Sequence, residues 1–170
     1  MGPGLSISRL DETDVRILEL LQENGRIKRN RIAEEVGLSV PAVSDRMRKL
    51  VERGVLEGYH AVVSARRLGF DITAFIRVTV DGSENYPEFV NLATGTDEVQ
   101  EVHSITGDGS HILRVLTPNT STLERLLSRI QSWPGVHGTS TSIVLSSFKD
   151  TRAVPARPMT LEPATNGHSA

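Results

Sequence analysis

The feature that most constrains this chain is a change in its hydrophobic period part-way along. In the first third, apolar residues recur at helical spacing: Val43, Met47 and Leu50 fall at i, i+4 and i+7. In "DITAFIRVTVDG", Ile72, Ala74, Ile76, Val78 and Val80 alternate with polar neighbours, the period of a half-buried strand. A one-stripe helix cluster and an alternating sheet bury their apolar surfaces in different ways, so two structural units are expected.

The helical part reads in three pieces. Residues 11–23 begin at Asp11, a good N-cap, and place Val15, Leu18, Leu20 and Leu21 on one face before Asn24-Gly25 stops the helix. Leu10 and Val15 have the spacing of a hydrophobic staple. "IKRNRIAEEVG" is a shorter helix with Ile32, Ala33 and Val36 inward and Gly37 at its end. Ser39 then caps a third helix whose first turn holds Pro41, where the missing N–H costs nothing. Two short helices joined by "GLS" fit a helix-turn-helix. "VLEGYHAVVS" alternates and is expected to form a strand.

The second part reads strand, helix, strand, strand, helix, strand. "NYPEFVNLATG" buries Phe89, Leu92 and Ala93. "EVQEVHSIT" and "HILRVLT" flank the turn "GDGS". Ser121 and Glu124 suggest a capping box before Leu123, Leu126, Leu127 and Ile130, "WPG" ends that helix, and "TSIVLSSF" is the last strand. The order is ferredoxin-like, with two helices on one face of an antiparallel sheet and the other face left for a partner or water. The expected fold class is therefore α+β: an N-terminal winged helix-turn-helix domain followed by a C-terminal ferredoxin-like βαββαβ domain. The expected boundaries are 1–9 flexible, 10–55 helix-turn-helix, 56–70 strand and hinge, 71–150 second domain, and 151–170 a disordered tail ending in the Pro- and Ala-rich "PARPMTLEPATNGHSA".

Composition excludes more than it selects. The chain has 170 residues, no cysteine and a net charge of −2. Disulfides, thiolate nucleophiles and cysteine zinc sites are thereby ruled out. No apolar run approaches the roughly 20 residues of a membrane span, and the N-terminus carries no apolar signal region, so a cytoplasmic location and no membrane partner are expected. The histidines, His60, His103, His111, His137 and His168, are scattered without a zinc-site spacing; only His103 and His111 could approach each other across a hairpin. No nucleophile elbow or phosphate loop is present. No turnover, metal or cofactor is expected.

Local charge is more informative than total charge. Arg26, Lys28, Arg29 and Arg31 form one basic cluster; Arg46, Arg48, Lys49 and Arg53 form another on the third helix. That helix turns Pro41, Ser44, Asp45, Arg48 and Lys49 away from its apolar stripe. Small residues at its N-terminal end allow close approach to base edges, and basic residues further on can meet phosphates. The expected DNA-contacting set is Arg26, Lys28, Arg29, Arg31, Ser39, Pro41, Ala42, Ser44, Asp45, Arg46, Arg48 and Lys49. The competing reading is a solvated surface helix laced with i, i+4 ion pairs.

These residues resemble the Lrp/AsnC, or feast/famine, family of bacterial and archaeal transcription regulators. "LDxxDxxIL", "NGR", "IAEEVGLS", "VSDRMRKL" and "GVLEGYHA" carry the likeness over residues 10–69, and "EVHSITGDGSHILRV" and "GVHGTSTSIVLSSFKD" extend it to about residue 150. The resemblance implies a homodimer formed through the second domain, further assembly to octamer-like discs, a pseudo-palindromic double-stranded DNA operator, and a small effector, commonly an amino acid, bound between dimers. It places effector contacts at Thr106, Gly107, Asp108, Gly109, Ser110 and His111, with Thr139 and Thr141 on the last strand. Family members that bind amino acids often carry an acidic residue flanked by aromatics in this turn; here Gly109, Ser110 and His111 follow Asp108. From the residues alone, the turn is either a backbone nest for a carboxylate or a plain hairpin turn. Gly109→Tyr is expected to alter ligand response while leaving folding nearly intact. Two other readings stay open: an architectural DNA-binding protein, and a ligand-sensing oligomer without amino-acid response.

Overall fold

The computed structural model describes residues 10–158. Residues 1–9, expected to be flexible, and residues 159–170 of the expected disordered tail lie outside the described residues. The chain divides into two units. Residues 10–61 together with 151–158 form one, and Val62–Asp150 form the other.

The first unit is three helices: α1 (Glu12–Glu23), α2 (Arg29–Val36) and α3 (Val40–Glu52). The Asp11 carboxylate caps α1 by accepting from the Asp14 N–H at 2.8 Å. Gly37 ends α2 in the left-handed region at φ 67°, which lets the chain turn sharply into Ser39, the cap of α3. Ile17, Leu18, Leu20 and Leu21 from α1, Ile32 and Ala33 from α2, and Val43, Met47 and Leu50 from α3 share one core. Ile17, absent from the expected face of α1, is fully buried.

Two expectations about the ends of this unit are corrected. Residues 57–64 form no strand and are exposed, with Val62 wholly so. Alternation supplies a strand's side chains but not its hydrogen-bond partner, and no strand pairs with this segment among the described residues. In the other direction, part of the expected tail is ordered. The Gln22 side chain donates to the Val154 carbonyl at 3.0 Å and accepts from the Val154 N–H at 2.6 Å, and Ala156 packs on the three-helix core.

The second unit contains β1 (Ile72–Val80), α4 (Tyr86–Thr94), β2 (Val99–Ser104), β3 (His111–Thr117), α5 (Thr120–Gln131) and β4 (Val136–Ile143). Its antiparallel sheet has the order β2-β3-β1-β4, as a split βαββαβ arrangement requires. Ala74, Ile76, Val78 and Val80 of β1 and Leu113 and Val115 of β3 face Phe89 and Ala93 of α4, Leu123, Leu126 and Ile130 of α5, and Trp133. Neither helix covers the opposite rows. Arg77 lies beside Ile112 and Ser140, and Phe75 beside Arg114 and Ser142.

The cap of α5 lies two residues before the expected one. Asn119 accepts from the Thr122 N–H at 2.9 Å, and the Thr122 hydroxyl accepts from the Asn119 N–H at 3.1 Å. Asn is a strong N-cap, and Thr at the N3 position returns the bond. The last strand is likewise earlier, Val136–Ile143 rather than 141–148. It is a polar edge strand, so its "HGTSTS" stretch shows no apolar alternation, whereas Leu145 and Phe148 beyond it are almost fully exposed.

Candidate nucleic-acid interface and effector turn

On α3 the buried stripe fixes which residues remain outside. Ser39, Pro41, Arg48 and Lys49 are exposed; Ala42, Ser44, Asp45 and Arg46 are half-buried. Arg26, Lys28, Arg29 and Arg31 are exposed at and before the start of α2. The first unit thus carries both basic groups on its surface, but their electrostatic states differ.

Arg46 points across to α1. One guanidinium nitrogen donates to the Asp11 carboxylate at 2.7 Å and to Asp14 at 2.8 Å. The Asp14 side chain is only 11% exposed. Burial works to raise the Asp11 pKa, but the Asp14 N–H and Arg46 outweigh it and hold the carboxyl below its ordinary value. Arg46 is therefore a strut between helices. The signal is legible in the spacing: Val43, Arg46, Met47 and Leu50 fall at i, i+3, i+4 and i+7.

The other cations of α3 are also engaged. Lys49 donates to one oxygen of Asp45 at 2.8 Å, and Arg48 donates to the other. A second arm of Arg48 reaches Glu52 at 2.6 Å. Hydrogen bonds first from Lys49 and then from Arg48 keep the Asp45 pKa below its ordinary value. Arg31 pairs with Glu34 at 3.0 Å and Glu35 at 2.8 Å. The i, i+4 pairs of the surface-helix reading are thus present, and they coexist with an outward basic face. They are open to solvent and individually weak, so a phosphate can exchange with them. Arg26, Lys28 and Arg29 form no ion pair among the described residues.

In the second unit, "TGDGSH" is the β2–β3 turn. The Ile105 N–H donates to the Ser110 carbonyl at 3.0 Å, closing it. Gly107 and Gly109 have φ of 93° and 85°, a region that glycine enters without strain. A Cβ on Gly109 would sit 3.2 Å from the Val78 carbonyl oxygen. Both facts overturn the expectation that Gly109→Tyr spares folding.

Thr106, Gly107 and Asp108 are exposed, whereas Ser110 and His111 turn inward. The Ser110 hydroxyl lies 3.0 Å from the Val80 N–H, 3.1 Å from the Val78 carbonyl and 2.9 Å from His111 Nδ1. The amide can only donate and the carbonyl can only accept, so the hydroxyl proton goes to Val78 and Nδ1 donates to the remaining lone pair. His111 is then neutral with a bare Nε2, which is buried without a partner. Its ring packs against Tyr86 at 4.9 Å and Phe89 at 4.7 Å, and burial lowers its pKa. Thr139 accepts from the Gln131 side chain at 2.9 Å, and Thr141 is exposed on the same strand. His103 faces the uncovered side of the sheet and pairs with Glu101 at 3.4 Å, so it shares no site with His111. Among the described residues, no cluster of His, Asp and Glu could hold a metal ion, and no helix is long and apolar enough to cross a membrane.

Comparison with known proteins agrees with both units. A family model described as winged helix-turn-helix DNA-binding matches residues 10–57, and one described as the Lrp/AsnC ligand binding domain matches residues 73–154. The chain is 35% identical over 148 residues to the HTH-type transcriptional regulator FL11 of Pyrococcus abyssi, covering 87% of this chain and 97% of the relative. The solved structure of Escherichia coli AsnC superposes with a TM-score of 0.82 at 28% identity, covering 88% of this chain and all of that one. The transcriptional regulator NMB0573 of Neisseria meningitidis, solved in complex with L-Met, also gives 0.82, at 29% identity and 86% and 96% coverage. These relatives are regulators, not enzymes, and this chain, with its helix-turn-helix unit and its four-stranded α+β unit, belongs to the Lrp/AsnC family of transcriptional regulators.

Proposed function

We propose that the protein acts as a homodimer, with α3 of each subunit entering the major groove at one half of a pseudo-palindromic operator. The observation that carries this reading is the pairing of an outward α3 face, bearing Ser44, Arg48 and Lys49, with the unpaired cluster Arg26, Lys28 and Arg29. The cluster supplies attraction to the phosphate backbone, and the α3 face supplies contacts that discriminate bases. The partner copy covers the uncovered sheet face, where Phe75 is 39% exposed beside half-buried Ile112 and Leu116. Assembly of dimers into octamer-like discs extends the same reading. The setting is cytoplasmic, where its DNA partner lies.

The effector site is the β2–β3 turn, exposed at Thr106, Gly107 and Asp108 and half-buried at Gly109, together with Thr139 and Thr141 of β4, with Ser110 and His111 supporting it from within. An amino-acid effector is favoured by the L-Met complex of the Neisseria relative. Against an amino acid, the turn offers only one exposed carboxylate, Asp108, for an ammonium group. That observation keeps an effector of another class, or an architectural role without sensing, as the second reading. A thermal-shift screen of the full chain against millimolar amino acids separates them. A ligand bound only by the folded state raises the melting temperature; no shift with any amino acid favours the second reading.

A further inference from the structure

The basic residues on α3 are not equivalent to those near α2. Asp45 sits one turn into α3, next to Ser44, and both its oxygens are occupied by Lys49 and Arg48. Glu52 holds the second arm of Arg48. These four side chains, two cations and two anions, sum to no net charge. Arg26, Lys28 and Arg29 carry three positive charges and form no ion pair among the described residues. A duplex of any sequence therefore meets an attractive patch at the start of α2, whereas Arg48 and Lys49 on α3 arrive with their charge offset by Asp45 and Glu52. Seating α3 means that Arg48 and Lys49 exchange Asp45 for phosphates or base edges. It also brings the Asp45 carboxylate close to the phosphates, where like charges repel.

We infer that Asp45 is a specificity-determining residue. Its carboxylate offsets the attraction of Arg48 and Lys49 for the phosphates of any sequence, so α3 seats fully only where base contacts outweigh that repulsion. This rests on the proposed placement of α3 in the groove. Exposed ion pairs are individually weak, so Asp45 acts chiefly through its charge at the interface and not through the stability of the helix.

The test is Asp45→Asn in the full chain, which keeps the side chain's shape and removes its charge. Binding is read by fluorescence anisotropy across a salt series. One probe is a random-sequence duplex; the other is the best duplex that the wild-type protein selects from a random library. The expected result on random duplex is roughly five- to tenfold tighter binding near ~0.1 M salt, with a salt slope steeper by about one counterion. The ratio of selected to random affinity falls by a similar factor. Glu52→Gln, which removes one partner of Arg48, has the smaller effect. Unchanged or weaker binding to random duplex overturns the inference. Loss of affinity confined to the selected duplex also overturns it, because Asp45 would then accept from a base directly. Wild-type protein that binds neither duplex at any salt concentration refutes the underlying DNA reading instead, and this is visible before any variant is made.

Discussion

Arg46→Ala removes a charged, half-buried link between α3 and the start of α1. Two carboxylates lose a partner. The Asp11 side chain is 53% exposed, so its share of the pair is that of a surface bridge, roughly 0.2–1 kcal/mol. The Asp14 side chain is 11% exposed, and an unpaired carboxylate there approaches the cost of breaking a buried pair, about 3–5 kcal/mol when burial is complete. Arg46 itself is 32% exposed, so water reaches the site and lowers that figure. A destabilisation of about 2–3 kcal/mol results, by interpolation between the exposed and buried cases. Urea unfolding followed by circular dichroism measures it, and Asp14→Asn combined with Arg46→Ala should cost less than the sum of the two. Because the Arg46 guanidinium is committed to Asp11 and Asp14 of the α1 start, binding to random duplex well below the melting transition should keep its salt slope. Unaltered stability with a slope shallower by about one counterion would refute the strut and return Arg46 to the phosphate-contacting set.

Three further outcomes are expected. Burial lowers the His111 pKa in the folded chain, so the unfolded chain binds the extra proton first. Stability is full above the unfolded value of about 6.5 and is lost as pH falls below it; His111→Phe should flatten that decline in denaturant midpoints between about pH 7 and 5, and an identical decline in the variant would remove His111 as its source. Arg48→Ala should weaken binding to the selected duplex by about 1–3 kcal/mol if Arg48 reads a base; an equal loss on random duplex, with a shallower salt slope, identifies a phosphate contact. Asp108→Ala, at an exposed turn position that forms no ion pair among the described residues, should leave the melting temperature of the free protein nearly unchanged and abolish the shift produced by an amino-acid effector. A shift of the same size in the variant would place the effector elsewhere.

Most of the architecture was legible because two periods carry it. Val43, Met47 and Leu50 mark α3 at helical spacing, and the burial pattern of β1 follows its alternation residue by residue. What was not legible depended on partners far away in the chain. The "VLEGYHAVVS" segment has the side chains of a strand but no strand to pair with among the described residues. β4 is set by its register with β1, from Ala74 opposite Ile143 to Val80 opposite Val136, and its own polar edge sequence hides it. Val154 is held by the Gln22 side chain, which lies 132 positions before it. In the candidate sites, the residue types were readable and their commitments were not. Arg46 reads as a DNA cation by its charge, and only its carboxylate partners Asp11 and Asp14 show its commitment to α1. His111 carries a polar ring whose position opposite Val78, on the core face, only the register reveals.

The measurement that bears most directly on the account is selection of duplexes from a random library by the full-length wild-type protein, followed by a salt titration on the best of them. The account predicts inverted-repeat sequences with half-sites spaced by one helical turn of DNA, or a multiple of it, and an affinity that falls steeply with salt as counterions are released. Recovered sequences with no shared element, or an affinity insensitive to salt, would contradict a dimer reading DNA through α3.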